Sequence, residues 1–380
     1  MTITSAMANA TSGLSAAGKR ADVVSNNIAN ASTPGYARRE ISVSEQILNG
    51  GGAGVSVDGV VRAQDAALTR EKRSAAGVEA RDEAIASAQQ LLDKALGSPD
   101  DSFSLFNQYQ GLETALRNLG ETPESLSGQA ATLDAAKSLA ATFNQLAKKT
   151  QTAREDADAT IAREVDQANA ALKQIETLNA AISRSAIDGG DASALEDQRK
   201  SLIDQVSQLI PVREVPREDG RVDLITNEGV FLLSGSAKTI SFAKAGVVTP
   251  DLSLAAGTLS GLSVGGVDIT PGGTGAFAVK QGAIAGAFAV RDEVLPDFQA
   301  KIDGLAGDLI ARFDGIDATL APGQPGLFTD AGALFNPANT LGISARIAVN
   351  GAVDPDQGGA LWRLRDGLGA ATQGPGGDAD

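Results

Sequence analysis

The stretch "SNNIANASTPGY", residues 25–36, sets three asparagines, a proline and a glycine close together near the start of a chain otherwise rich in alanine and helix formers. It divides two kinds of sequence. Upstream, Leu14, Ala17, Ala21, Val24 and Ile28 recur in steps of three and four, the a/d seam of an amphipathic helix over residues 11–30. Downstream the helical period stops. Asn30 leaves helical geometry at low cost, and Pro34 lacks the amide a continuing helix needs. Thr33-Pro34-Gly35-Tyr36 has Pro and Gly at the two central positions of a type II turn. A seam this thin is marginal alone in water, and burying its large members is worth about 1.5–3 kcal/mol each. The helix therefore wants a partner helix.

Past the turn, "ARREISVSEQI" (37–47) reads as extended, and "NGGGAGVSVDGVVR" (49–62) as a glycine hinge followed by a strand near 55–62. Helical periods then run over 65–96, ended by Gly97 and Pro99, over 102–119, and over about 124–185. At 1.5 Å per residue the last of these runs roughly 90 Å, which predicts an elongated architecture. "DGGD" turns the chain at 188–191, and a further helix over 192–209 is stopped by Pro211. Within 65–210 the seams read as ordinary packing inside a bundle. From 211 to about 282, β-branched runs separated by Asp-Gly and Glu-Gly predict hairpins. Helix returns over 283–316, with Phe298, Ile302, Leu305, Leu309 and Phe313 on one face and Pro296 as a kink. "ARIAVNG" (345–351) predicts a strand, "GALWRLRDGL" (359–368) a short helix, and "ATQGPGGDAD" (371–380) a disordered tail.

The fold class expected is mainly α with an inserted β domain, a helical bundle or coiled-coil stalk plus a small β-rich domain. Its segments are an N-terminal segment 1–62, a helical bundle 63–210, a β-rich insertion 211–282, a returning helix 283–320 and a mixed segment 321–380.

Composition narrows function. The 380 residues contain no cysteine and no histidine, which removes thiol and imidazole chemistry and the two commonest zinc ligands. A net charge of −15 disfavours a nucleic-acid backbone as partner. The N-terminus lacks the basic-then-apolar pattern of a cleaved signal peptide, and no apolar run is long enough for a membrane span. These signals alone place the chain in the cytoplasm. "GLSAAGKR" (13–20) has phosphate-loop glycine spacing, but Arg20 stands where Ser or Thr would hold magnesium, and no strand precedes it. Glu196 and Lys200 are spaced as an exposed helical ion pair, and a paired-acid catalytic site has no pocket signal behind it. Asn9-Ala10-Thr11 and Asn30-Ala31-Ser32 match the glycosylation triplet without a secretory signal to give it meaning. No catalytic, cofactor-binding or metal-binding residues are assigned.

"SNNIANASTPGYARREI" (25–41) resembles the N-terminal signature of flagellar axial proteins, through Asn26, Asn27, Ile28, Ala29, Asn30, Thr33, Pro34, Gly35 and Tyr36. Residues 193–226, "SALEDQRKSLIDQVSQLIPVREVPREDGRVDLIT", and 282–313, "GAIAGAFAVRDEVLPDFQAKIDGLAGDLIARF", resemble the hook-associated protein 1 family of the hook–filament junction. Rod proteins are shorter and lack both segments, and the hook protein has a mostly β middle. The resemblance implies a non-catalytic subunit exported through the flagellar type III channel with a flagellar export chaperone. It implies a homo-oligomeric ring between hook protein and the next hook-associated protein, without membrane or nucleic-acid partners. Leu14, Val24 and Ile28 would then supply the packing seam. Asn30, Pro34 and Gly35 would set the direction of the chain, and Tyr36 would pack against a neighbour. The family ends in a long helix that pairs with the N-terminal one. No heptad-bearing helix follows Phe313 here, so residues 1 to about 30 are expected to be poorly ordered in the isolated monomer. Two alternatives stay open: another axial component of hook or rod, and a secreted binding module using the β domain. A carboxylate-dependent glycan hydrolase would require two acids about 5–10 Å apart in a cleft.

Overall fold

The computed structural model describes residues 3–33, 36–48, 51–63, 65–188 and 191–375. In chain order the elements are α1 (Ile3–Ala29), β1 (Arg39–Leu48), β2 (Gly51–Arg62), α2 (Ala66–Leu96), α3 (Leu105–Glu121), α4 (Leu126–Ile187) and α5 (Ser193–Leu209). Then come β3 (Val212–Pro216), β4 (Val222–Thr226), β5 (Phe231–Ser234), β6 (Ser236–Ala237), β7 (Ile240–Ser241), β8 (Ser263–Val264) and β9 (Val267–Asp268). The chain continues through α6 (Ala283–Ala289), a π turn (Val290–Val294), α7 (Leu295–Phe313), β10 (Phe328–Asp330), α8 (Ile343–Arg346), β11 (Ile347–Val349) and α9 (Arg363–Asp366). Strands β3–β9 all fall between α5 and α6, so the fold is mainly α with an inserted β region. All sheets among the described residues are antiparallel: β1-β2, β3-β4-β5-β6, β7-β8-β9 and β10-β11.

Local chemistry sets the boundaries. Asp65 caps α2 by accepting the amides of Ala67 and Leu68, and Gly97, at φ +76°, ends it. Ser104 caps α3 by accepting the Asn107 amide. Gly189 and Gly190 of the turn expected at 188–191 lie outside the described residues.

The chain divides into two compact units. The first comprises Met1–Asp82, Ala162–Phe242 and Gly261–Gly286. Its α4 stretch buries Ala168, Leu172, Ile175 and Ile182, α5 buries Ile203 and Val206, and the β region buries Leu224, Leu232, Leu233, Ile240 and Val264. Two asparagines fasten the strands to α4. Asn179 donates from Nδ2 to the Val222 carbonyl and accepts the Val222 amide at Oδ1, at 2.8 and 3.2 Å. Asn169 does the same to Ile240, at 2.9 and 2.8 Å. A side-chain amide here completes both hydrogen-bonding needs of a strand residue, which burial would otherwise make costly.

The second unit comprises Glu83–Ile161, Ala243–Ser260 and Ala287–Asp380. Its main core joins Leu112 of α3, Leu133, Leu139 and Phe143 of α4, Leu309 and Ile310 of α7, and Phe328, Phe335, Ile343 and Ile347 beyond them. Fully buried Arg291 donates to Asp158 at 2.6 Å, to the Ser260 carbonyl at 3.1 Å and to Asp292 at 2.8 Å. Arg154 donates to the carbonyls of Arg291, Thr249 and Leu252. The loop 243–260 is thereby held to α4 by two buried guanidinium groups, Arg154 hydrogen-bonded to carbonyls and Arg291 also ion-paired, the condition under which burying charge is tolerable.

Four expectations are corrected. Gly51–Gly54 is no hinge; these residues begin β2, which returns along β1 as a hairpin pairing Arg39 with Arg62 and Leu48 with Gly51. Asn49 and Gly50, also read as hinge, lie outside the described residues. The returning helix is not one regular α-helix as far as Pro296. The change of register occurs just before it, in the π turn where the Leu295 amide bonds the Val290 carbonyl, and Pro296 sits in the first turn of α7 where no amide is needed. Glu196 and Lys200 do not pair: Glu196 meets Arg62 at 3.3 Å and Lys200 meets Asp204 at 3.0 Å. Residues 371–375 are not a free tail, because Arg365 donates to the Gly374 carbonyl and the Gly374 amide donates to Asp366. Residues 376–380 lie outside the described residues.

Candidate assembly surface

Around the opening motif, Asn27 of α1 is the centre. Its Nδ2 donates to the Arg39 carbonyl, and its Oδ1 accepts both the Arg39 amide and the Tyr36 hydroxyl, all three at 2.9 Å. The Arg39 guanidinium lies 5.0 Å from the centroid of the Tyr36 ring, a cation–π distance. Asn30 closes the helix: its amide and Nδ2 both donate to the Asn26 carbonyl. The Thr33 hydroxyl bonds Asn30 Oδ1. The Tyr36 amide reaches the Thr33 carbonyl at 3.2 Å, the bond of a four-residue turn. Pro34 and Gly35, its central residues, lie outside the described residues. Tyr36, expected to pack against a neighbour, is half-buried with ring and hydroxyl engaged inside the chain. The side chain of Asn26 is exposed.

Two seams run along α1. One is small and polar, and it carries the hairpin. Ser12 Oγ accepts the Val55 amide at 3.1 Å, Asn9 reaches the Gly52 carbonyl at 3.4 Å, and Ala16 is buried. Val23 is half-buried, and Asn27 completes the row. Gly54, at φ +107°, is what permits this approach: a Cβ there would lie 2.3 Å from Ser12 Oγ.

The other seam is the apolar one. Leu14 is 76% exposed, Val24 48% and Ile28 72%, with Ala17 and Ala21 exposed between them. The row continues in the same three-four steps through Ala10, Met7 and Ile3, all exposed and not singled out from the sequence. The period alone, carried back toward the N-terminus, finds them.

At the base of the hairpin, Arg39 and Arg62 converge on α5. Arg39 Nη2 meets Asp197 Oδ2 at 2.9 Å, and Arg62 Nη2 meets Asp197 Oδ1 at 2.5 Å. Nearby, Arg73 of α2 meets Asp204 at 2.6 Å and Glu214 at 2.5 Å. Asp191, in the approach to α5, is held below the ordinary carboxyl value: burial opposes the shift, but the Ser193 hydroxyl and amide and the Arg39 charge outweigh it. These long-range pairs have no local sequence signal.

Residues 13–20 lie inside α1, so the backbone amides a phosphate loop would offer are spent in the helix. Among the described residues no three Asp or Glu side chains are grouped to hold a metal ion, and no helix is long and apolar enough to cross a membrane.

The family model described as "Flagellar hook-associated protein FlgK helical domain" matches residues 88–326, and that of "Flagella basal body rod protein" matches residues 7–36. Flagellar hook-associated protein 1 of Escherichia coli (strain K12) is 30% identical over 239 residues, covering 60% of this chain and 43% of that protein. The protein of the same name from Bacillus subtilis (strain 168) is 25% identical over 228 residues, covering 57% of this chain and 45% of its own length. The flagellar hook junction protein FlgK from Burkholderia pseudomallei superposes with a TM-score of 0.55 at 20% identity, over 70% of this chain and 47% of that one. That likeness is one of fold. The chain spans less than half the length of the curated relatives it matches. Since the helical-domain model covers well over half of its residues, the chain belongs to the flagellar hook-associated protein FlgK family.

Proposed function

We propose that the chain is a structural subunit of the bacterial flagellum at the hook–filament junction, working by self-assembly and not by catalysis. The observation that carries this reading is the pair of seams on α1. The polar seam is used up by the hairpin, while an unbroken apolar heptad row from Ile3 to Ile28 faces outward. Such a row is what a partner helix needs for knobs-into-holes packing. The proposed partners are further copies of the chain in an axial ring, hook protein on one side and the next hook-associated protein on the other, with an export chaperone before assembly. Leu14, Ala17, Ala21, Val24 and Ile28 are the proposed docking residues. Asn26, Asn27, Asn30, Pro34, Gly35 and Tyr36 are proposed to set the exit of the chain from α1. The partition into segments 1–62, 63–210, 211–282, 283–320 and 321–380 belongs to the same proposal, as does location outside the cell on the flagellum.

A second reading, a rod or hook component, is favoured by the rod-protein match at residues 7–36. One experiment separates the two. The gene is deleted, the cells are imaged, and the medium is assayed for flagellin. Finished hooks without filaments, with flagellin released, support the junction. Missing hooks move the subunit to the rod or hook. Normal filaments and swimming overturn both.

A further inference from the structure

Arg39 opens β1, Arg62 closes β2, and the two are Cα partners across the base of the hairpin. Each gives its guanidinium to a different oxygen of Asp197, and Arg62 adds a bond to Glu196 at 3.3 Å. The side chains of Arg39, Arg62 and Asp197 are only 17%, 11% and 15% exposed. These are therefore not the weakly coupled pairs of an open surface, since each largely desolvated charge depends on its partner. The arrangement is also directional. Moving either strand by one residue turns its arginine to the opposite face of the ribbon and leaves one Asp197 oxygen without its donor.

Arg39 is at the same time held by its backbone to Asn27. A continuous line of polar contacts thus runs from α1 through the first residue of β1 to α5. An apolar contact of similar size would tolerate sliding; this one specifies an angle.

We propose that Asp197 is the positioning residue that fixes the direction in which α1 and its open seam stand on α5. The role rests on the assembly reading above: copies joining through one seam must all present it alike. Asp197 touches no partner itself and acts through Arg39 and Arg62.

The test uses the full chain. Asp197→Asn removes the charge at constant shape, and Asp197→Glu restores it. Hydrogen exchange of the purified protein should show residues 39–62 losing at least about tenfold protection in Asp197→Asn. Protection in α4 and α5 should stay unchanged, with partial recovery in Asp197→Glu. In cells, Asp197→Asn should lower filament attachment and Asp197→Glu should regain it. Should the single variant unfold, the neutral combination Arg39→Gln, Arg62→Gln, Glu196→Gln and Asp197→Asn leaves no charge unpaired among these four residues and should show the same loss in the hairpin. Wild-type hairpin protection in the neutral combination, or in a folded Asp197→Asn, overturns the proposal. A deletion strain that keeps its filaments overturns the assembly reading instead, and the exchange result then stands by itself.

Discussion

Asn27 and Arg39, twelve residues apart, form a closed two-bond pair: the asparagine amide answers both the N–H and the C=O of the arginine. The same device recurs where Asn169 holds Ile240 and Asn179 holds Val222. In all three a helix fixes one strand residue without contributing a strand. Asn27 adds the Tyr36 hydroxyl, so one side chain governs both the end of α1 and the entry to β1. Asn27→Ala removes three bonds and should cost about 1–3 kcal/mol of local stability. Amide exchange at Arg39 should accelerate by about tenfold or more. Asn27→Asp keeps the acceptor but turns an oxygen toward the Arg39 carbonyl, and should be no better than alanine. Unchanged exchange at Arg39 in either variant would remove Asn27 from this role.

Gly54 tests whether the hairpin truly rests on α1. Gly54→Ala places a methyl 2.3 Å from Ser12 Oγ at a backbone φ of +107°, a conformation that costs a non-glycine residue about 1–3 kcal/mol. The variant should lose protection at Val55, whose amide bonds Ser12 Oγ at 3.1 Å. Adding Ser12→Gly relieves the collision but not the backbone strain, and it also removes the Val55 acceptor, so recovery is read in the thermal midpoint relative to Ser12→Gly alone and should be partial. Full recovery would mean that the close approach, and not φ, is what demands glycine.

Glu164 of α4 makes stability depend on pH. Burial pushes its carboxyl up to about 7, against a smaller opposite pull from Arg163, and Oε2 is buried without a hydrogen-bond partner. A carboxyl raised in the folded state ionises first in the unfolded chain. Its penalty is absent below the unfolded value, grows as pH rises toward 7, and is complete above it. Glu164→Gln should therefore stabilise the protein at pH 8 by about 1–2 kcal/mol, allowing for solvent screening. It should also flatten the rise in urea midpoint on going from pH 8 to pH 5. A variant with an unchanged pH profile would show that the carboxyl is ordinary.

The helices were legible because period and punctuation agree: Asp65 caps α2, Gly97 ends it, and α4 keeps one stripe over its whole length. The apolar seam of α1 was legible for the same reason. Its polar seam was not, because Asn9 and Ser12 carry no hydrophobic signal and become a contact face through Gly54, more than forty residues away. Reading the glycines as a hinge followed from this; glycine serves close approach as readily as freedom, and sequence does not distinguish the two. Asp197 was invisible on similar grounds. Arg39 lies 158 positions from it, and no local pattern joins them. The π turn escaped because a single extra residue per turn shifts the helical period too little to see beside Pro296.

The exposed row on α1 yields the most direct prediction. Leu14 and Ile28 touch solvent over about three quarters of their surface, so Leu14→Glu and Ile28→Glu remove no buried contact within the chain. Each should leave the thermal midpoint and the far-ultraviolet dichroism of the purified protein unchanged, since surface substitutions of this kind move stability by about 0.5 kcal/mol or less. In a packed helix seam the same changes would bury a charge without a partner, at a cost of several kcal/mol for each contact. Filament attachment should fail in cells carrying the double variant, while Leu14→Ile with Ile28→Leu should behave as wild type. Lys19→Glu, on the same helix but outside the seam, controls for charge alone. Filaments on cells with the double glutamate variant would show that assembly does not use this seam. Failure with Lys19→Glu as well would assign the effect to charge on α1 and not to the apolar row.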